Sequence, residues 1–269
     1  MPAEAAALEL EDISVTFVSQ DGGRYTAIRD TSLRVAPGEF VSVVGPTGCG
    51  KSTLLNVAVG LLQPSAGRIR VFGEPLQGLN RKAGYLFQTE ALMPWRTALQ
   101  NVTAGLEFRG VAPGEATARA QAWLQRVGLR GFGERYPHQL SGGMRKRVAL
   151  AQTLILDPEI ILMDEPFSAL DIQTRHLMEN ELLEIWSANR KSVVFITHDL
   201  EEAISLSDRV VVLSAGPQAR PIGEFAIDLP RPRDVAEIRL APRFIELHTQ
   251  VWRAMKDEVL KSYAQQQNQ

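Results

Sequence analysis

The chain is poor in the features that mark secreted, membrane-spanning or nucleic-acid-binding proteins. A single cysteine, Cys49, excludes an internal disulfide framework. The opening MPAEAAALELED lacks the basic n-region and apolar h-region of a signal peptide. No run approaches the ~18–20 apolar residues of a membrane span; the longest charge-free stretch, Ser52 to Gly67, is interrupted by Asn56, Gln63, Pro64 and two glycines. Positive charge is not in excess: 29 Lys and Arg face 31 Asp and Glu, so no global field holds nucleic acid or an anionic membrane. These absences predict a cytosolic protein with no nucleic-acid partner, one that serves a membrane, if at all, from outside the lipid. What is present is ordinary globular composition, 45% hydrophobic and 22% charged, over 269 residues. That length is about 1.8 typical domains, so one large or two small domains are expected.

Leu8 to Val18 and Ile28 to Val35 alternate apolar and polar residues around Gln20-Asp21-Gly22-Gly23, predicting an antiparallel β piece. Four short apolar runs, Phe40–Val44, Ile160–Met163, Val193–Ile196 and Val210–Leu213, read as strands buried on both faces of a parallel sheet. Helical patterns follow three of them, over Lys51 to Leu62, Ile172 to Asn189 and Leu200 to Leu206, the last opened by an Asp199/Glu202 capping box. Between Gln88 and Leu156 the strand signal gives way to helical segments at Thr97 to Phe108, Glu115 to Val127 and Ser141 to Leu156. A strand is expected at Arg220 to Ile227. Beyond Leu229-Pro230-Arg231-Pro232-Arg233, Phe244, Ile245, Leu247, Val251, Trp252, Met255 and Val259 recur at helical spacing and predict a docked amphipathic helix. The pattern predicts an α/β fold of mainly parallel sheet, with an N-terminal antiparallel β piece and an inserted helical subdomain. The expected division is 1–87 with 157–228 as the sheet core, 88–156 as the helical subdomain and 229–269 as a helical tail.

Gly45-Pro46-Thr47-Gly48-Cys49-Gly50-Lys51-Ser52, followed by Thr53, satisfies G-x-x-x-x-G-K-[ST] between a buried strand and a helix. Its backbone N–H groups and the helix N-terminus suit the β- and γ-phosphates of a nucleotide, Lys51 adds a full charge, and the Ser52 hydroxyl suits Mg²⁺. Cys49 is a small loop residue with no resolving partner; beside Lys51 and a helix N-terminus, its thiol is expected to ionise readily and to alkylate. A second apolar strand ends in Asp164 and Glu165, suited to Mg²⁺ ligation and water activation respectively. Ligands of open α/β sheets bind beyond the strand C-termini, which also places His198 at the nucleotide. Ser141-Gly142-Gly143 opens a helix and reads equally as a second anion site or as a serine N-cap with a tight turn. Arg145-Lys146-Arg147 reads as a solvated face.

The ordered set formed by Gly45 to Ser52 (Walker A), Gln88, the Leu140-Ser141-Gly142-Gly143-Met144 signature, Ile160 to Glu165 (Walker B), Ser168-Ala169-Leu170-Asp171 and His198 resembles the ATP-binding subunit of ABC transporters. The resemblance implies a P-loop NTPase core of the ABC ATPase fold, with 1–87 and 157–228 as its ATP-binding part, and that the signature of one subunit covers the γ-phosphate held by another, so that two copies close head to tail over two ATP molecules. It further implies that Gln88 senses the γ-phosphate and Mg²⁺, Glu165 activates water, His198 holds the γ-phosphate and Asp171 links the two sites. Phe17 stands where the family stacks adenine, with Tyr25 as the other candidate and core packing as the alternative. Met144 departs from the usual signature glutamine.

Phe87-Gln88, Leu92-Met93-Pro94-Trp95-Arg96-Thr97 and Leu229 to Asp234 are similar to nitrate/sulfonate/taurine-type importer ATPases. The implied partners are a second copy, membrane permease subunits docked at the helical insertion on the cytoplasmic face of the plasma membrane, and indirectly an extracytoplasmic solute-binding protein. Trp95 reads equally as internal packing or as part of the docking groove. A soluble ABC-type ATPase driving a non-transport machine is the alternative function.

Overall fold

The structure, a computed structural model, describes residues 5–19 and 21–267. Gln20 of the expected turn lies outside the described residues. The alternating N-terminal segments form β1 (Leu8–Val18) and β2 (Arg24–Val35), paired antiparallel. They join β4 (Ala66–Val71) and β5 (Glu74–Pro75) in a four-stranded sheet of order β2-β1-β4-β5.

The continuous apolar runs form the second sheet, because residues buried on both faces need helices or another sheet on each side. Its order is β10-β9-β3-β8-β7-β6, with β3 (Phe40–Val44), β6 (Ala83–Leu86), β7 (Ile160–Asp164), β8 (Ser192–Ile196), β9 (Arg209–Leu213) and β10 (Pro221–Ala226). β9, β3, β8, β7 and β6 are mutually parallel, and β10 closes the edge antiparallel to β9. α1 (Lys51–Ala58) packs between the two sheets, where Leu54, Leu55 and Val57 join Val41, Val43, Ile28 and Leu162 in one core.

A second core lies under α2 (Ala98–Phe108), α3 (Pro113–Arg126), α4 (Gly142–Leu154) and α5 (Ile172–Asn189). α6 (Leu200–Leu206), the short α7 (Val235–Ile238) and α8 (Pro242–Gln267) complete the chain. Of the expected stripe of α8, Phe244, Leu247, Val251 and Met255, with Val259 against them, pack with α6 and β9 in a third core, whereas Ile245 and Trp252 turn outward and are exposed. Thr97 and Ser141 N-cap α2 and α4 through hydrogen bonds from Gln100 N and Met144 N.

The structure changes several expected details. α1 ends at Ala58, since Gly60 takes φ +80° and the chain turns there. Asp199 caps α6 by accepting from Glu201 N and Glu202 N, but the Glu202 side chain is buried against Thr197 rather than reaching back to close a capping box. The triplet Arg145-Lys146-Arg147 is not a solvated face: Lys146 is 3% exposed, and Arg147 donates to Val127 O and pairs with Glu181. Strands β4, β5 and β6 were not expected at all. No helix among the described residues is long and apolar enough to cross a membrane.

Candidate functional site

β3, β7 and β8 run parallel, so their C-terminal ends open at the same edge of the sheet, and the chain segments leaving them build a cleft of about 460 Å³. Thr47, Gly48, Gly50, Lys51, Ser52 and Thr53 form its floor after β3. Gly50 N-caps α1 at φ +102°, where a Cβ would lie 2.7 Å from Ile28 Cγ2, so the loop needs glycine there for both backbone and space. Lys51 is buried; its ammonium donates to Gly45 O at 2.9 Å and Pro46 O at 3.1 Å and lies 3.8 Å from Glu165 Oε1.

Beneath the floor, Ser52 Oγ donates to Asp164 Oδ1 at 3.0 Å. Burial pushes the Asp164 carboxyl above the usual carboxylate range, and the Ser52 hydrogen bond opposes that shift. Tyr85 OH, on β6, donates to Asp164 Oδ2 at 3.5 Å, and burial together with Asp164 pushes the phenol well above its ordinary range. Sequence reasoning missed Tyr85, whose only signal is a tyrosine in a weak strand.

Glu165 follows β7 in the left-handed region at φ +43°, with its N–H donating to Ile196 O at 2.9 Å. A non-glycine residue held there is strained backbone at a site where orientation matters. Its Oε2 lies 3.0 Å from Nδ1 of His198, which leaves β8 through Thr197. Gln88, after β6, is exposed at the cleft, and its backbone carbonyl accepts from Lys146 Nζ. Phe17 and Tyr25 face each other across the β1–β2 ladder, both half-exposed on the cleft, so Phe17 is not a core residue and both adenine candidates line the same wall.

The remaining candidates lie elsewhere. Cys49 is 1% exposed, with its sulfur packed beneath Gly45 and the β9 end at Leu213, and burial pushes its thiol up. The expected ready ionisation of this thiol is therefore overturned: desolvation outweighs the attraction of Lys51. Ser141, Gly142 and Gly143 do not line the cleft of their own chain; Ser141 Oγ accepts from Met144 N at 3.2 Å, the N-cap arrangement. Asp171 N-caps α5 by accepting from Thr174 N at 3.0 Å, and that segment abuts the signature, since a Cβ at Gly143 would lie 2.9 Å from Thr174 Cγ2.

Together these residues line one cleft: a glycine-rich loop with a buried lysine, a hydroxyl–carboxylate pair beneath it, a carboxylate and a histidine at its mouth, and aromatic rings on one wall. The ABC transporter family model matches residues 28–168. An uncharacterized ABC transporter ATP-binding protein of Methanocaldococcus jannaschii is 48% identical over 255 residues, covering 95% of this chain and 93% of the relative. A taurine import ATP-binding protein of Pseudomonas aeruginosa is 43% identical over 257 residues, covering 94% and 95%. Among solved structures, a dimeric ATP-binding cassette in a post-hydrolysis state bound to ADP and Pi matches with a TM-score of 0.74 at 31% identity, over 83% of this chain and 100% of that one. The chain thus belongs to the ABC transporter family, as an ATP-binding, ATP-hydrolysing subunit.

Proposed function

We propose that this chain is the ATPase of a solute importer, closing head to tail with a second copy over ATP and driving separate membrane permease subunits from the cytoplasmic face. An extracytoplasmic binding protein delivers the solute, a small molecule of the taurine or nitrate type. The observation that carries the reading is the split of the site: Lys51, Gln88, Glu165 and His198 share one cleft, while Ser141-Gly142-Gly143 lies off it. A second chain is what brings a signature to these phosphates. The dimeric cassette among the structural relatives and the relatives named for import support this assignment. Residues 1–87 with 157–228 serve as the ATP-binding core, 88–156 as the helical signature unit and 229–269 as the tail.

The loop N–H groups and Lys51 bind the β- and γ-phosphates, and Phe17 with Tyr25 stacks the adenine. Glu165 accepts a proton from the attacking water at its carboxylate, which the nearby His198 and Lys51 orient; His198 also holds the γ-phosphate. Ser52, Asp164 and Gln88 suit Mg²⁺. The pair beneath the loop, the Ser52 hydroxyl and the Asp164 carboxylate, is hard oxygen. Such a sparse donor set fits an ion that keeps waters and takes substrate phosphates as ligands rather than a protein cage. When bound, Mg²⁺ supplies charge neutralisation on the phosphates. Ser141, Gly142 and Gly143 bind the γ-phosphate of the partner copy, and Asp171 links the two sites.

Beside Gln88, a groove of about 330 Å³ runs between β6, α2 and α4, with Phe87, Met93, Ala104, Phe108 and Leu156 on its walls. This groove and the exposed Trp95 at the entry to α2 serve as the permease dock. A pull-down from detergent extract tests the reading: membrane permease subunits are expected with the chain, and exclusively soluble partners contradict it.

A further inference from the structure

Lys146 is a charged residue in the second turn of α4, yet it is 3% exposed, and a buried ammonium persists only where acceptors meet it. Its acceptors come from the loop after β6. Lys146 Nζ donates to Gln88 O and lies 3.9 Å from Glu90 Oε1. The other oxygen of Glu90 lies 3.9 Å from Arg145 Nε. Arg145 Nη1 in turn donates to Leu140 O at 2.9 Å, on the residue immediately before Ser141. A continuous polar path therefore runs from the backbone of Gln88, at the nucleotide cleft, to the entry of the signature helix, with Glu90 joining the two cations.

The hydrogen bonds of Lys146 to Gln88 O and of Arg145 to Leu140 O are charge-assisted and directional, and Glu90 attracts both cations from 3.9 Å, so a displacement of the Gln88 loop either carries the start of α4 with it or breaks the Lys146 bond. α4 is packed into the helical core through Val148, Leu150 and Leu154, which favours motion as a unit over local yielding. Resting on the head-to-tail reading above, we propose that Lys146, with Glu90 and Arg145, is a positioning set that registers the signature against the Gln88 loop. The state of one chain's own cleft thereby sets the face it offers to the phosphates of a second copy. Lys146 touches neither nucleotide nor water in this scheme. The sequence hides it, because three consecutive basic residues at a helix start read as a solvated face.

The test uses the full chain carrying Glu165→Gln, which preserves any ATP-bound dimer. Lys146→Met removes the donor and the charge. Glu90→Gln alters only charge at a site 21% exposed, and so spares the fold. Lys146→Gln keeps a donor for the Gln88 carbonyl. The ATP concentration for half-dimerisation is read by sedimentation, and nucleotide affinity of the dilute monomer by a fluorescent ATP analogue. Lys146→Met is expected to raise the half-dimerisation concentration by about tenfold, the scale of a lost charge-assisted hydrogen bond, and Glu90→Gln and Lys146→Gln to raise it by less, with monomer affinity unchanged in all three. In the hydrolysing chain the same variants raise KM for ATP and preserve kcat at saturation. Unchanged dimerisation beside a dimerising parent overturns the inference alone, as does a parallel loss of monomer affinity. A parent that stays monomeric with ATP contradicts the head-to-tail reading and removes the inference with it.

Discussion

The Glu165 carboxylate lies between His198 and Lys51, with Oε2 at 3.0 Å from His198 Nδ1 and Oε1 at 3.8 Å from Lys51 Nζ. The contact gives the two ends of the cleft different tasks. Lys51 is buried in the loop after β3; in the proposed mechanism it acts on ground-state phosphate charge, and Lys51→Ala is expected to abolish nucleotide binding. Glu165 is proposed to act on the attacking water, so Glu165→Gln is expected to leave binding intact and to lower turnover by about 10²- to 10⁴-fold. Nucleotide titration together with phosphate release checks both, and hydrolysis near the parent rate in Glu165→Gln contradicts the assigned base.

Cys49 is expected to resist thiol reagents in the folded chain. Its sulfur is buried beneath Gly45, and burial holds the thiol above its ordinary range, which disfavours the reactive thiolate. Mass spectrometry reads this site alone, since no other cysteine exists: slow labelling of the native chain and full labelling after denaturation are expected. Cys49→Ser remains active. Rapid labelling of the native chain contradicts the burial.

Trp95 is 73% exposed, so its ring contributes little to the core. Trp95→Ala is expected to preserve melting temperature and basal ATPase rate while lowering co-purification with the permease, on the scale of ~2 kcal/mol for an interface hot spot. A drop in melting temperature with permease binding unchanged moves the dock elsewhere on the helical insertion.

Glu202 and Glu179 are buried where α5 and α6 meet, facing Asp199 and Arg175, and burial pushes their carboxyls up to about 8 and about 7 against the pull of Thr197 on Glu202 and of Arg239, 3.3 Å away, on Glu179. In the unfolded chain such a group titrates near ~4.3. The folded state therefore holds its proton to higher pH, and the associated stability, complete below the unfolded value, is lost as pH rises through about 8. The chain should melt lower at pH 9 than at pH 6. Glu202→Gln, neutral throughout, should flatten that dependence and raise the melting temperature at pH 9 by about 2–4 °C for each kcal/mol recovered. Calorimetry showing the same slope in parent and variant contradicts a protonated Glu202.

The parts of the fold legible in the sequence are those where one local pattern decides. β3, β7, β8 and β9 are unbroken apolar runs, and α5 and α6 match their expected limits because Asp171 and Asp199 cap them. β6 was illegible because Gly84 carries no side-chain pattern; it is glycine because a Cβ there would lie 2.8 Å from Thr153 and 2.9 Å from Pro158. At the site, the phosphate loop is a contiguous motif and Asp164-Glu165 ends a recognisable strand. The burial of Cys49, the approach of Tyr85 to Asp164, the left-handed backbone of Glu165 and the grip of Lys146 on Gln88 are tertiary facts. Each depends on a segment distant in sequence or on a dihedral angle that no residue type announces.

The account rests most on a nucleotide site completed by a second chain, and the mass of Glu165→Gln in solution tests this directly. Light scattering with Mg²⁺ present is expected to give a monomer without ATP and a dimer with it, and Ser141→Arg, which crowds the signature but leaves the cleft of its own chain untouched, should hold the protein monomeric. The same mass with and without ATP, or an ATP-bound dimer indifferent to Ser141→Arg, contradicts the shared site.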